Sequence, residues 1–272
     1  MKARGLDMQL NTFQLDGEFK WSSTINFNLY RDKVIKRNRA SIAASSVVGN
    51  GDLISAIEGY PVYSIFSYRW AGLDPLTGNP RGYLGGNVSS DYSAITGTGS
   101  TINDLIYGGP AFATIFGGFG NTFSYKGLSL DVQLTYKAGH YFRPDALNYN
   151  SLYNSGVGHP EYSQRWKSPG DEVRTNVPSM VYPSISARDL LYTNSETLVE
   201  RADHVRVNYL TLGFQIPQSF LKQVGIRNLL VQCGASNLGI IWRANKKGLD
   251  PDYRSTAILP SKTFTLGIKA TL

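Results

Sequence analysis

The chain is 272 residues long and holds 28 Gly, 17 Tyr, 12 Phe and 4 Trp against 1 Cys and 3 His, a composition that favours strands and glycine turns over helices. Its lone cysteine, Cys233, excludes an intramolecular disulfide framework and a cysteine-built zinc site. Net charge is +7 and no window nears 18 consecutive apolar residues, which excludes a membrane helix. A β-barrel span is not excluded, because its strands alternate lipid-facing and lumen-facing residues and so keep overall hydrophobicity modest.

The start, M-K-A-R-G-L-D-M-Q-L, lacks the apolar run of a signal peptide, so a wall of this kind is expected to have further chain upstream. Phe13 and Leu15, then Phe19, Trp21, Ile25, Phe27 and Leu29, fall on odd positions with polar residues between, and Asp16-Gly17 marks a hairpin. The stretch Phe19 to Leu29 is long enough to cross a bilayer at a tilt, which takes about 9 to 11 residues. The basic run Arg31, Lys33, Lys36, Arg37 and Arg39 follows directly on this strand. It has no interleaved aromatic platform, so it is read as a solvated loop that could meet lipid phosphates rather than nucleic acid.

Alternation recurs at Val62, Phe66, Tyr68 and Trp70, at Phe119, Phe123 and Tyr125, and at Leu128, Leu130, Val132, Leu134, Tyr136 and Ala138. Val205, Val207 and Tyr209 are odd, whereas Leu210, Leu212, Phe214 and Ile216 are even, so one extra residue near Tyr209 predicts a β-bulge. Pro217 stops that strand, and P-Q-S-F-L-K-Q-V-G predicts a compact turn with about one turn of helix. Leu229, Val231, Cys233 and Ala235 resume the pattern, and Phe264, Leu266, Ile268, Ala270 and Leu272 close it.

The spacing predicts about nine antiparallel transmembrane strands, over 4–16, 18–36, 60–73, 79–86, 111–126, 128–143, 199–217, 227–242 and 262–272. Brief turns are expected within four successive pairs, at Asp16-Gly17, G-L-D-P-L-T-G, Lys126-Gly127 and Pro217, and long loops elsewhere, at 37–59, 87–110, 144–198 and 243–261. Short turns on one side and long loops on the other describe an outer-membrane barrel. Tyr30, Tyr68, Trp70, Tyr125, Tyr136 and Trp242, near strand ends, are expected to form its interfacial aromatic girdle. G-L-D-P at Gly72–Pro75 and again at Gly248–Pro251 is read as turn chemistry, not duplication.

His140, His159 and His204 are distant in sequence, and none has a second ligand at metal spacing. Asn245, Asp250 and Asp252 lack the closing Glu of a calcium loop. No nucleophile motif or phosphate loop is present, so neither an enzyme nor a cofactor is expected. Tyr141, Tyr149, Tyr153, Tyr162, Trp166 and Tyr182 crowd the longest loop and its approach, where packing or contact with a lid is favoured over ligand stacking, and no ligand residues are nominated.

The runs R-V-N-Y-L-T-L-G-F-Q-I-P, L-K-Q-V-G-I-R-N-L-L-V-Q-C-G-A-S-N-L, K-G-L-D-P-D-Y and T-F-T-L-G-I-K-A-T-L resemble the C-terminal end of SusC/RagA-type TonB-dependent transporters. W-A-G-L-D-P-L-T-G-N-P and G-G-F-G-N-T-F-S-Y-K-G-L-S-L are also similar to that family. The resemblance implies that residues 1–272 are the C-terminal segment of a 22-stranded outer-membrane β-barrel. It further implies TonB-dependent uptake of oligosaccharides or peptides, with a SusD-like surface lipoprotein as partner and TonB engaged through an N-terminal part lying outside these residues. A plug, further barrel strands, outer-membrane lipid and lipopolysaccharide complete the implied surroundings. The rival readings are a soluble all-β glycan-binding module, which would bury the apolar rows, and a passive porin.

Overall fold

A computed structural model of the chain describes residues 1–37, 43–222, 225–253 and 259–271, so Arg39 and Leu272 lie outside the described residues. In chain order the elements begin with β1 (Lys2–Asp16), β2 (Phe19–Lys33), β3 (Ser64–Tyr68), β4 (Gly82–Leu84), β5 (Asn87–Ser89), α1 (Tyr92–Thr96), β6 (Leu105–Pro110), β7 (Ile115–Tyr125) and β8 (Leu128–Ala138). They continue with β9 (Tyr141–Phe142), α2 (Tyr149–Ser155), α3 (Ser186–Thr193), β10 (Glu200–Arg201), β11 (His204–Gln215), α4 (Gln218–Leu221), β12 (Asn228–Arg243) and β13 (Thr263–Thr271). Seven of the strands make one antiparallel sheet in the order β1-β2-β7-β8-β11-β12-β13.

The register carries the amphipathic pattern across this wall. Leu15, Trp21, Phe123, Leu130, Leu212, Cys233 and Leu266 are successive cross-strand partners, one from each of the seven strands. Phe19, Tyr125, Leu128, Phe214, Val231 and Ile268 form a second such row. Strand pairing fixes which residues share a face, so two matched rows mean one continuous apolar surface. Nothing covers it among the described residues: Leu15 is 50% exposed, Leu212 46% and Leu266 73%. Polar atoms on this face hydrogen-bond to one another, with Trp21 Nε1 and Ser23 Oγ donating to Asn121 Oδ1 at 3.0 and 2.7 Å and Gln14 Nε2 to Ser23 Oγ at 3.0 Å.

The expected bulge is present. The register shifts between Val207 and Tyr209 on both sides of β11, so Asn208 lets Val205 and Val207 share a face with Leu210, Leu212 and Phe214. A second shift, between Phe13 and Leu15, was not read from the sequence: Leu15 opposes Trp21 but Phe13 opposes Ser22, on the polar side. Lys126 and Gly127 both have positive φ (46° and 86°), the primed turn that suits a two-residue hairpin. At Pro217 the chain makes the single helical turn α4.

Two of the nine expected strands do not join the wall. Segment 60–73 yields only β3, whose five residues are all buried, and segment 79–86 yields only β4, which pairs with β5. Phe66 and Tyr68 lie in β3, with Val62 and Trp70 beyond its ends, and this strand sits inside a folded loop with both faces covered. The chain therefore leaves the wall at Lys33 and returns at Ile115. Because the displaced strands are a consecutive pair, the direction of every later strand is as expected.

Residues 34–114 and 139–203, the two longest links, pack together as a cap that holds the buried core. One cluster unites Ala44, Val47, Phe66, Tyr68, Ile95 and Leu105 of the first loop with Leu191 of the second. The other unites Leu147, Tyr149, Val177, Tyr192 and Leu198, with Trp70 of the first loop packed on it. Neighbours Leu191 and Tyr192 on α3 thus serve different clusters. The girdle expectation needs correcting accordingly: Tyr68 and Trp70 belong to the cap, and Tyr30 opposes Gly5 on the polar side. Tyr125, Tyr136 and Trp242 do lie on the apolar face.

Candidate functional site

The opposite face of the wall is polar. Ser22, Thr122, Asp131, Thr211, Gly234 and Thr265 are successive partners across six strands, and Thr122 Oγ1 donates to Asp131 Oδ1 at 2.6 Å. Near the loop end of this face stand Lys137, His204 and Arg206, brought abreast because His204 opposes Lys137 and Arg206 opposes Thr135.

The G-L-D-P-D segment folds down onto these three basic side chains. Gly248 takes φ +73°, a left-handed conformation that glycine adopts without strain, and the chain reverses there. Arg206 Nη2 then donates to both Asp250 oxygens at 2.7 and 2.8 Å, and Lys137 Nζ to Asp252 Oδ1 at 2.7 Å. His204 Nε2 lies 3.3 Å from Asp252 Oδ2, while its Nδ1 faces the Ala202 carbonyl at 2.8 Å. Burial pushes the Asp252 carboxyl up, but hydrogen bonds from His204 and Lys137 outweigh it and hold the group well below the usual carboxylate range. The carboxylates considered for calcium are thus engaged by basic side chains, and the Asn245 side chain is tied to the Leu249 backbone, Nδ2 donating to its carbonyl and Oδ1 accepting from its N–H. The other G-L-D-P segment also has a left-handed glycine, Gly72, but Asp74 caps its own turn by accepting from Leu76 N and Thr77 N.

Beside this anchor a cavity of 360 Å³ opens under the cap, lined by Phe112, Phe116, Lys137, His140, Tyr141 and Asp252 among others. Phe116 sits on the even, polar register of β7, opposite Asn28 and Lys137. Its phase, opposite to that of Phe119 and Phe123, was the available sequence signal for an aromatic on the inner face. A wider cleft of 590 Å³ runs alongside, between Tyr107, Tyr141, Glu196, Glu200, Lys246 and Lys247. Such surfaces offer aromatic faces and both signs of charge to a polar solute. Among the described residues no group of three or more metal-binding side chains exists.

Histidines distant in sequence do meet: the rings of His140 and His204 lie 6.2 Å apart, which corrects the expectation that all three stand apart, while His159 pairs locally with Glu161. The aromatics of the long loop mostly pack. Tyr149 is buried with its hydroxyl donating to the Pro178 carbonyl, Trp166 donates to Glu172, and Tyr162 stacks on Arg165; Tyr182 alone of this set is largely exposed, at 78%.

Comparison with known proteins fits this geometry. No family model matches the chain. It is 23% identical over 269 residues to the TonB-dependent receptor P3 of Formosa agariphila and 21% identical over 309 residues to the TonB-dependent receptor P26 of the same organism. These alignments cover 94% and 100% of the chain, but the chain spans only 26% and 29% of the relatives' length. Among solved structures, the RagAB peptide importer in its open-open state superposes with a TM-score of 0.71 at 23% identity, covering 99% of this chain and 28% of that one. A further RagAB peptide transporter structure gives 0.69 at 24% identity, with 98% and 28% covered. The chain resembles the SusC/RagA-type TonB-dependent transporters. In that likeness the seven-stranded antiparallel sheet matches barrel wall. Among the described residues no helix is long and apolar enough to cross a membrane.

Proposed function

We propose that the chain is one part of an outer-membrane, TonB-dependent importer of oligosaccharides or peptides. Residues 1–272 form a segment of its β-barrel wall together with the cap above it, working with a SusD-like surface lipoprotein. What carries the reading is the row Leu15, Trp21, Phe123, Leu130, Leu212, Cys233 and Leu266, matched across seven strands and left uncovered while the buried core lies in the cap. Water-soluble domains bury such a surface, and hydrocarbon is the solvent in which it is stable uncovered. Free backbone groups at β1 and β13, the two ends of the sheet, need further strands in a membrane, which supports a longer barrel as the working unit.

The test is uptake by cells. Deleting the gene should abolish growth on one class of oligosaccharide or peptide, and collapsing the proton gradient should stop import by cells that retain it. Import that survives loss of the gradient would replace this reading with a passive porin. Recovery of the protein as a monodisperse species without detergent would replace it with a soluble module.

A further inference from the structure

At the loop end of the apolar face the pattern changes from hydrocarbon to charge. Moving up the β1–β2 pair, the partners on this face are Leu10 with Ile25, Met8 with Phe27, Leu6 with Leu29, then Arg4 with Arg31 and Lys2 with Lys33. Two cationic pairs therefore stand directly opposite one another on adjacent rungs. Cross-strand partners have Cβ atoms about 5 Å apart and successive same-face rungs lie about 7 Å apart, so like charges in this pattern destabilise the sheet on their own. None of the four side chains has a hydrogen-bond or ion-pair partner among the described residues. The nearby Asp32 belongs to the other face, where its carboxylate accepts from Val62 N at 2.7 Å. A groove of 320 Å³ opens between Lys2, Arg4, Arg31, Lys33 and Ile35, with Ala3 and the Val62-bonded Asp32 also on its lining.

Depth places the four charges in a particular layer. From Leu15 to Leu6 the strand climbs about 30 Å, or about 23 Å normal to the membrane at a tilt of about 40°. The apolar band of an outer-membrane barrel is about 25 Å tall. Arg4 and Arg31 then emerge where the hydrocarbon ends on the loop side, facing the lipid rather than the lumen.

We propose that Lys2, Arg4, Arg31 and Lys33 form a binding site for the phosphate groups of an outer-leaflet glycolipid of the lipopolysaccharide kind. The inference rests on the membrane reading above. A phosphate oxyanion between the paired rungs converts mutual repulsion into charge-assisted hydrogen bonds, which two guanidinium groups can make in bidentate form. Solvated lysines and arginines in a loop would need no such face, register or depth.

Intact protein extracted from outer membranes, with whatever chains complete its sheet, is incubated with phosphorylated lipid A and bound lipid is counted by native mass spectrometry. The K2Q/R4Q/R31Q/K33Q variant should retain at least tenfold less lipid A than wild type, and R4K/R31K should retain most of it. Dephosphorylated lipid A should bind no better to wild type than to the neutral variant. Equal retention by wild type and the neutral variant would overturn the site, as would displacement of lipid A by inorganic phosphate alone at millimolar concentration. Floating of both proteins with the outer-membrane fraction separates this failure from failure of the membrane reading, which would instead leave the wild type in the soluble fraction.

Discussion

Arg143 is 1% exposed and has no carboxylate partner among the described residues, yet it joins the two halves of the cap. Nη1 donates to the Gly49 carbonyl and to the side-chain oxygens of Asn50 and Asn194, and Nη2 to the Phe66 carbonyl and Ser67 Oγ, at 2.6 to 3.2 Å. Burial pushes its pKa down to about 10, so it still carries its charge at neutral pH. Arg143→Ala would leave several buried acceptors unpaired and should destabilise the cap by about 3 kcal/mol or more. Limited proteolysis should then cut within 34–114 and 139–203 while the wall strands remain protected. His140 supplies a pH response of defined sign. Burial pushes its pKa down to about 4, with the His204 ring acting the same way, whereas an unfolded histidine titrates near 6.5. The unfolded chain thus takes up a proton that the folded chain refuses, so stability is highest above about pH 6.5 and falls as the pH is lowered toward 4, by up to about 3 kcal/mol. Thermal melting from pH 7 to 4.5 should show the decline, and His140→Phe should flatten it.

At the scale of elements, the bulge at Asn208 holds two halves of β11 in phase. Deleting Asn208 should turn either Val205 and Val207 inward or Leu210, Leu212 and Phe214 inward, because a one-residue slip exchanges the faces of a strand. In the first case Arg206 would face lipid and lose Asp250, so yield in the outer-membrane fraction should fall at least tenfold; unchanged yield would remove the bulge from any role in phasing. This element was legible because odd apolar residues gave way to even ones across one position. The strands of the wall were legible for the same reason, each being wet on one side only. β3 misled because it is covered on both sides, and a run such as Val62, Phe66 and Tyr68 says nothing about what lies behind its polar positions. The anchor of Asp250 and Asp252 on Arg206, Lys137 and His204 was illegible, since its partners are 44 to 115 residues apart and only the fold brings them together. Phe116 left a readable trace, an aromatic on the wrong phase, that periodicity alone does not interpret.

Taken whole, the molecule has two parts of opposite construction: a wall whose greasy face is uncovered among the described residues and a cap whose greasy residues are buried. Cys233 reports on the first part, since it is exposed on the apolar face between Leu212 and Leu266. In intact outer membranes a neutral, membrane-permeant maleimide should modify Cys233 and a charged one should not. A fluorophore placed there should be quenched by brominated lipid. Rapid reaction with the charged reagent in sealed membranes would show that this face meets water.

The cap also constrains the order of events in biogenesis. Its first cluster needs Leu191, and its central hydrogen bonds need Arg143, both supplied by the later loop. The earlier loop, 34–114, therefore cannot close its core by itself, and completes it only once Arg143 and Leu191, both further along the chain, have been brought against it.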